Sequence, residues 1–191
     1  MIKDHKIIIG VTGASGAIYA KTLFEKLATL KNQINKIDVV FSDNAKEVWK
    51  YELDTDPEKS IPFKIYSKNN FFAPFASGSA GYDIMIICPC SMGTLGRIAN
   101  GTSDDLITRA SDVVLKERKK LILVLRETPF NLIHINNMKI ITEAGGIICP
   151  AIPSFYNKPD SIKGLVDTVV NRILQLADII TNSYKWGEEN N

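Results

Sequence analysis

The chain has 191 residues, a length typical of one folded domain, and it shows no internal repeat. Hydrophobic residues make up 45% of the chain and charged residues 23%, which excludes a disordered or fibrous protein. The 23 basic and 21 acidic residues give a formal net charge of +2 without forming a basic arm, so nucleic acid is not an expected partner.

The first residues of the chain predict a cytoplasmic protein. A short apolar run follows the polar start and meets Gly10, so the apolar segment and cleavage site of a signal peptide are missing. The apolar run at 84–88 stops at Pro89 and is too short to cross a membrane, so we expect no membrane partner. The cysteines lack CxxC or zinc-ligand spacing and are odd in number, which favours reduced thiols in the core: Cys88, Cys90 and Cys149.

In chain order, the hydrophobic pattern of the first half alternates between strands and helices. The continuous β-branched run at 7–11 predicts a strand buried on both faces, and the helical spacing from Ala17 predicts a helix after it. A second strand is predicted at 37–41, and a capped helix follows at 42–53. The polar stretch at 54–62 then interrupts the periodicity.

The second half continues this alternation. Further strands are predicted at 84–88, 121–125 and 147–149, with helices at 92–99, 104–119, 129–144 and 161–180. This order predicts an α/β fold, a single-domain, doubly wound, three-layer α/β/α parallel sheet of the Rossmann-like or flavodoxin-like type. Ligands of such sheets bind at the carboxyl ends of the strands, beside a topological switch point.

Three glycines shape the loop between the first predicted strand and the first helix. Gly10, Gly13 and Gly16 are spaced Gly-x-x-Gly-x-x-Gly, which differs from the dinucleotide fingerprint Gly-x-Gly-x-x-Gly. The loop is suited either to binding the phosphate of a cofactor at the helix N-terminus or to forming a tight structural turn. Its Thr-Gly-Ala-Ser string also occurs in short-chain dehydrogenases, but no tyrosine here begins their catalytic Tyr-x-x-x-Lys pair.

A second loop of small residues follows the predicted strand at 84–88. This loop, at 88–96, opens a helix at the carboxyl end of a strand, so both loops are expected to face one crevice. The hydroxyls of Ser91 and Thr94 are suited either to binding a phosphate or a polar flavin edge or to capping the helix.

Charged residues surround the predicted strand at 121–125. Arg109 and Lys116 precede this strand, and Arg126 and Glu127 follow it directly. Basic residues at a crevice can neutralise a phosphate leaving group, and an acidic residue there can transfer protons. The alternative for each of these four residues is an exposed side chain that only contacts solvent. The end of an apolar strand is where doubly wound folds place ligand-binding groups, which favours a functional role for the last pair. Spacing alone assigns no role to two later residues, Tyr156 and Arg172.

Eight short motifs occur in order along almost the full chain. They are TGASG (12–16), ASGS (76–79), CPCS (88–91), LITRA (106–110), LKER (115–118), RETP (126–129), PAIPSFY (150–156) and NRIL (171–174). As a set they resemble the UbiX-type flavin prenyltransferases, flavoproteins of the UbiX/Pad family that were formerly called aromatic acid decarboxylases. The resemblance implies a single flavoprotein domain over 1–191 and a homododecamer whose sites are shared between subunits.

The chemistry that the resemblance implies is an alkyl transfer that needs no metal. Reduced FMN would take a dimethylallyl group from dimethylallyl phosphate at N5 and C6, giving prenylated FMN and free phosphate. A separate UbiD-type decarboxylase would use that product. Breaking the allylic C–O bond requires fixed positive charge around the departing phosphate. The sequence leaves open which decarboxylase is served and whether the donor is a phosphate or a diphosphate.

The resemblance also assigns residues to these steps. The prenyl phosphate would be held by Lys116, Arg126, Tyr156 and Arg172, and Arg126 would also touch the flavin. The catalytic set would be Ser15, Glu52, Lys116 and Glu127, in which Glu127 transfers a proton and Ser15 relays protons near flavin N5. The FMN site would be lined by Gly13, Ala14, Ser15, Ser42, Ser91, Met92, Gly93, Thr94, Arg109 and Arg126.

Two positions depart from the family pattern. The family often has tryptophan or tyrosine where this chain has Phe71, a weaker partner for an allylic cation, and Trp186 is the other aromatic candidate. Asp105 replaces a common asparagine and adds a negative charge near the expected anionic cofactor.

Three other functions are compatible with a fold of this kind. Flavin-dependent cysteine decarboxylases carry a Pro-x-Met-Asn-x-x-Met-Trp motif and a catalytic histidine, whereas this chain lacks that motif and has only His5 and His134. Direct aromatic acid decarboxylation is the older assignment for such proteins. A non-catalytic FMN carrier is the third alternative, and it would not depend on Lys116 or Glu127.

Overall fold

The computed structural model describes residues 4–30, 32–181 and 187. Within these residues the chain forms six strands and seven helices. Their bounds are β1 His5–Val11, α1 Ala17–Thr29, β2 Ile34–Phe41, α2 Asp43–Leu53, α3 Pro57–Ser60, β3 Lys64–Tyr66, β4 Ile84–Cys90, α4 Met92–Ala99, α5 Leu106–Lys116, β5 Lys120–Leu125, α6 Leu132–Glu143, β6 Ile147–Ile148 and α7 Ile162–Leu176. Two 3₁₀ turns, Pro74–Ala76 and Gly78–Ala80, precede β4.

The six strands form one parallel sheet in the order β3-β2-β1-β4-β5-β6. The strand order reverses at β1, which pairs with β2 on one side and with β4 on the other. The connection after β1 therefore runs towards β2, whereas the connection after β4 runs the opposite way towards β5, which opens a crevice at the carboxyl ends of β1 and β4. This topology confirms the predicted doubly wound fold.

Two hydrophobic cores cover the two faces of the sheet. Ile7, Ile8 and Ile9 are all fully buried, and successive side chains of a strand point to opposite faces. Ile7 and Ile9 therefore pack with α1 and α7 in one core, while Ile8 packs with α4 and α5 in the other. This explains why β1 reads as a continuous apolar run rather than as an alternating one.

The structure differs from the sequence prediction mainly in short elements. The polar stretch at 54–62 contains α3, a single helical turn that Asp56 caps by accepting from the Glu58 amide at 3.0 Å. The edge strand β3 follows with only three residues. The helix predicted at 104–119 ends earlier because Arg118 adopts a left-handed φ of 54°.

The three cysteines are buried free thiols, as the sequence indicated. Burial raises the pKa of Cys90 to about 12, although the Leu95 amide and the charge of Arg97 oppose this. These thiols therefore stay protonated at neutral pH and pack as small apolar groups. In the part of the chain that the structure describes, no helix has the length and apolar composition needed to span a membrane.

Candidate active site at the carboxyl ends of the strands

A buried threonine ties the two glycine-containing loops together. The Thr12 hydroxyl donates to the Pro89 carbonyl at 2.8 Å and accepts from the Ser91 amide at 2.8 Å. The Thr12 amide also donates to the Pro89 carbonyl, at 3.2 Å. Because β1 and β4 are neighbours, these bonds hold both loops at one edge of the sheet. The sequence prediction that the loops face one crevice is therefore confirmed.

Replacing Thr12 by valine is expected to lower the free energy of unfolding by about 2 kcal/mol, because the buried Pro89 carbonyl and Ser91 amide both lose a partner. Urea unfolding of the variant and the wild type measures this difference. Thr29→Val is the matched control, since the Thr29 hydroxyl bonds only at the exposed end of α1. Equal losses in the two variants would contradict the role assigned to Thr12.

The first loop ends in a helix N-terminus that already holds a carboxylate of the same chain. Glu52, on α2, accepts from the Gly16 amide at 2.9 Å and from the Ala17 amide at 2.7 Å. Burial raises the pKa of Glu52, but the hydroxyl of Ser15, these two amides and the charge of Arg126 outweigh it and bring that pKa below its ordinary value. The start of α1, which the sequence suited either to a cofactor phosphate or to a tight turn, thus holds the Glu52 carboxylate, ionised at neutral pH.

Arg126 lies over this helix start from the end of β5. A Cβ built on Gly16 would meet the Tyr19 ring at 2.8 Å and the Arg126 stem at 4.0 Å, and Gly16 has a φ of +113°, so only glycine fits there. Glu127 follows Arg126 with an exposed side chain that accepts from the Thr128 amide at 3.1 Å. Arg126 and the Glu52 carboxylate, 74 positions apart in sequence, thus meet beside the exposed Ser15.

The N-terminus of α4 forms an open cradle at the second loop. Ser91 caps the helix by accepting from the Thr94 amide at 3.3 Å, and the two hydroxyl oxygens lie 3.1 Å apart. The first-turn amides of Met92 and Gly93 have no partner inside the helix. Among the described residues, and apart from its chain neighbours and the backbone of its own helix, no heavy atom lies within 4 Å of a Cβ built on Gly93. Because such helix N-termini bind phosphates, the cradle fits a phosphate-bearing group such as FMN.

The start of α2 adjoins the first loop. Ser42 caps α2 by accepting from the Ala45 amide at 3.1 Å, and its own amide donates to the Val11 carbonyl at 3.0 Å. A Cβ built on Gly13 would lie 2.5 Å from the Cβ of Asn44, so the loop can approach α2 only with glycine at this position. Ala14, the next residue along the loop, is buried.

Arg109 and Asp105 belong to α5, which runs beside these loops. Arg109 donates from Nε to the Ala76 carbonyl at 3.2 Å and pairs with Asp112 at 2.8 Å. Asp105 caps α5 by accepting from the Thr108 amide at 2.8 Å. The added charge of Asp105 is therefore part of a helix cap, and contact of Arg109 with a flavin stays a prediction.

Lys116 lies at the opposite end of the sheet from Arg126. It ends α5, pairs with Glu117, and is followed by Lys120 at the start of β5. Arg126 comes directly after β5, whose six residues span roughly 20 Å. One chain by itself therefore does not bring Lys116 to the crevice.

Tyr156 and Arg172 line one large groove, although they lie 16 positions apart in sequence. This groove, of about 800 Å³, runs between the segment after β6 and the helix α7. It also contains Cys149, whose pKa is raised by burial and lowered in part by the charge of Arg172. Phe71 is 45% exposed, and Trp186 lies outside the described residues.

The structure thus brings together some predicted site residues and separates others. Ser15, Glu52 and Arg126 form one cluster, Ser91 to Thr94 form the cradle, and Tyr156 shares a groove with Arg172. The sequence did not indicate the contacts of Thr12 and Arg97. The partners of Thr12 are distant in sequence, and those of Arg97 are identified only by side-chain geometry. Among the described residues, no group of histidine, cysteine, aspartate or glutamate side chains is arranged to hold a metal ion.

Comparisons with known sequences place the chain in one family. The chain matches the flavoprotein family over residues 1–176. It is 45% identical to the flavin prenyltransferase UbiX of Methanocaldococcus jannaschii, covering 95% of this chain and 98% of that protein. It is 38% identical to the flavin prenyltransferase UbiX of Pseudomonas aeruginosa, covering 99% and 97%.

Comparisons with solved structures agree. AnUbiX (PadA1), crystallised with FMN and dimethylallyl pyrophosphate, has a TM-score of 0.87 and 38% identity over 96% of this chain and all of its own. A dodecameric FMN-dependent UbiX-like decarboxylase from Escherichia coli O157:H7 has a TM-score of 0.89 and 36% identity over 94% and 98%. The peptidyl-cysteine decarboxylase EpiD, at 18% identity and a TM-score of 0.61, shares the fold alone. Its sequence over nearly its full length and its fold both show that this chain belongs to the UbiX-type flavin prenyltransferases of the flavoprotein family.

Proposed function

We propose that this protein joins a dimethylallyl group to reduced FMN and so makes prenylated FMN. Relatives at 45% and 38% identity are named flavin prenyltransferases, and the similar AnUbiX was crystallised with FMN and dimethylallyl pyrophosphate. The observation that carries the proposal is the cluster of Ser15, Glu52 and Arg126, because it sets a hydroxyl, a carboxylate and a cation beside two open loops.

The cradle at the start of α4 would hold FMN. The first-turn amides of Met92 and Gly93, which have no partner inside the helix, suit its phosphate, and the hydroxyls of Ser91 and Thr94 lie beside them. The remaining FMN contacts that we propose come from Gly13, Ala14, Ser15, Ser42, Arg109 and Arg126. When bound in its reduced form, FMN supplies the nucleophilic ring atoms N5 and C6.

Basic side chains would hold the phosphate of the prenyl donor. Arg126 extends from β5 over the first loop, and the groove beside α7 offers the Arg172 guanidinium and the Tyr156 hydroxyl. Lys116 would come from a neighbouring subunit, because its own chain places it at the far end of the sheet. Together these groups would stabilise the negative charge that builds up on the departing phosphate.

Proton transfer would fall to the hydroxyl and carboxyl groups around Arg126. The Ser15 hydroxyl donates to the Glu52 carboxylate, so it can pass a proton between that carboxylate and a ligand above the loop. Glu127 has an exposed carboxylate next to Arg126 and is the proposed proton acceptor or donor for the transfer step. Glu52 would position and polarise Ser15.

The direct experiment is anaerobic incubation of the protein with reduced FMN and dimethylallyl phosphate, followed by mass spectrometry of the flavin. A parallel incubation with the diphosphate identifies the preferred donor. We expect a flavin heavier by one prenyl unit, and only when protein and donor are both present. Unchanged flavin in both incubations would instead support an FMN carrier or a decarboxylase.

The recipient of the product and the location of the protein stay predictions. We expect a UbiD-type decarboxylase to gain activity when it is mixed with the products of this reaction, and we expect both proteins in the cytoplasm. Loss of carbon dioxide from an aromatic acid or a cysteine peptide by this protein alone would favour the rival functions.

We also propose that the protein assembles with further copies of itself, as the dodecameric relative from Escherichia coli does. The helix α6 and the residue pair before it expose several large apolar side chains, a feature typical of an interface. These side chains are Phe130, Leu132, Ile133, Ile135 and Ile140, exposed by 41% to 70%. We assign this surface to a second copy of the same chain, because the proposed role of Lys116 requires contact with the crevice of a neighbouring subunit.

Replacing Ile133 by glutamate is expected to reduce the size of the assembly, because a buried unpaired carboxylate at an interface costs several kcal/mol. Light scattering after size-exclusion chromatography measures the molecular mass. Ile133→Leu is the control and should assemble like the wild type, since it keeps an apolar side chain of the same volume. A wild-type mass for Ile133→Glu would show that α6 does not form the interface.

A further inference from the structure

Arg97 links three side chains at the open end of α4. Its Nη1 donates to Asp104 at 2.7 Å and to Asp105 at 2.8 Å, and its Nη2 donates to the Thr94 hydroxyl at 3.4 Å. Thr94 lies in turn 3.1 Å from Ser91, oxygen to oxygen. One guanidinium therefore connects the start of α5 to the cradle at the start of α4.

Asp105 is fixed in place and depends on this guanidinium. It is only 8% exposed, accepts from the Thr108 amide at 2.8 Å, and donates its own amide to the Thr108 hydroxyl at 3.3 Å. Lys68 is another cation near Asp105, but it pairs with Asp43 at 2.6 Å. A buried carboxylate that loses its ion-pair partner is strongly destabilising, so Arg97 is the main counter-charge of Asp105.

Two carboxylates this close to the cradle oppose the binding of an anion. The phosphate of FMN is negatively charged, and charges interact more strongly in a partly buried site than in water. Arg97 offsets one of these two negative charges, chiefly that of the more buried Asp105, and at the same time holds the Thr94 hydroxyl in the cradle.

We propose that Arg97 is a positioning residue of the FMN site, a role that rests on the proposed function. It acts through Thr94 and by neutralising Asp105, and it need not touch the flavin. Asp105 and Arg97 thus act as a pair. The aspartate caps α5, and the arginine reduces the repulsion between that carboxylate and a bound phosphate.

The test uses four full-length proteins: wild type, Arg97→Gln, Asp105→Asn and the double variant. Quenching of FMN fluorescence gives the Kd for FMN, and steady-state assays give the KM for the prenyl donor. We expect Arg97→Gln to raise the Kd for FMN about tenfold. The double variant should regain most of the affinity for FMN, because Asp105→Asn removes the carboxylate that Arg97→Gln leaves unpaired. The donor KM should stay as in the wild type.

Salt separates electrostatics from simple loss of structure. Between about 0.01 M and about 1 M salt the screening length falls from about 30 Å to about 3 Å, so repulsion of FMN in Arg97→Gln should weaken and its Kd should approach that of the wild type. Lys163→Gln is the matched control, since it removes an exposed ion pair with Asp167 on α7. Its Kd for FMN should equal that of the wild type.

The outcomes distinguish this role from the proposed function. Failure of the wild type to bind FMN at all would contradict the proposed function itself. Tight FMN binding by the wild type together with an unchanged Kd in Arg97→Gln would overturn only the role of Arg97. A raised Kd that neither Asp105→Asn nor salt restores would also overturn it, because the loss would then be structural.

Discussion

Replacing Lys116 by alanine is expected to lower the rate of FMN prenylation by about a hundredfold to a thousandfold, while the Kd for FMN stays unchanged. The rate falls because the departing phosphate loses a fixed cation. FMN affinity is retained because Lys116 lies at the amino ends of the strands, away from the loops that would bind FMN in its own chain. Mass spectrometry of the flavin measures the rate. Lys119→Ala is the control, since Lys119 is an exposed lysine in the same turn.

The position of Lys116 allows a stricter test with mixed assemblies. Lys116→Ala and Arg126→Ala should each be inactive, because each removes a cation from every site. If one subunit supplies Lys116 and another supplies Arg126, random mixing of the two variants leaves about a quarter of the sites with both residues intact. Co-expression should therefore restore about a quarter of the wild-type activity. No recovery would mean that both residues act within one subunit, and an active Lys116→Ala protein would mean that Lys116 plays no part.

Much of the fold could be predicted because buried parallel strands have a simple sequence pattern. The β-branched run of β1 and the apolar runs of β4 and β5 were all predicted within about two residues of their ends, since each strand is buried on both faces. The hydrophobic pattern did not predict α3 or β3. A four-residue helix and a three-residue edge strand are too short to show a hydrophobic period.

The site could be predicted only in part, because spacing identifies loops but not their contacts. The glycine loop after β1 was suited either to a cofactor phosphate or to a tight turn, and it could not show that the Glu52 carboxylate binds the amides at the start of α1. Thr12 bonds to Pro89 across 77 positions, which no local pattern encodes. The resemblance assigned Lys116 to the site, but only the course of α5 and β5 shows that its own chain places it far from the crevice.

Glu52 gives the second large effect. Replacing it by glutamine is expected to lower the free energy of unfolding by about 1 to 2 kcal/mol at neutral pH. The carboxylate accepts from Gly16, from Ala17 and from the Ser15 hydroxyl, whereas an amide has one acceptor oxygen and would turn its NH₂ group towards one of these donors. Urea unfolding measures the loss, with Glu47→Gln as the control on the exposed face of the same helix.

The pH dependence of this loss follows from the lowered pKa of Glu52. A carboxyl group whose pKa is lower in the folded than in the unfolded protein stabilises fully above its ordinary value of about 4.3, and that contribution disappears as the pH falls through the folded value. The stability difference between wild type and Glu52→Gln should therefore be constant from neutral pH down to about 5 and shrink below it. A difference that does not change down to pH 3 would show that Glu52 is not held as an anion.

Glu52→Gln should also slow FMN prenylation by about a hundredfold, since Ser15 then faces an amide that cannot accept its proton. Stability and activity can be separated, because the loss of stability leaves most of the protein folded at neutral pH and 25 °C. The activity of the folded variant thus reports the part that Glu52 plays in the reaction, separately from its part in folding. A variant that is less stable but prenylates FMN at the wild-type rate would assign Glu52 to the architecture of the α1 N-terminus and leave Glu127 as the acid that acts in the reaction.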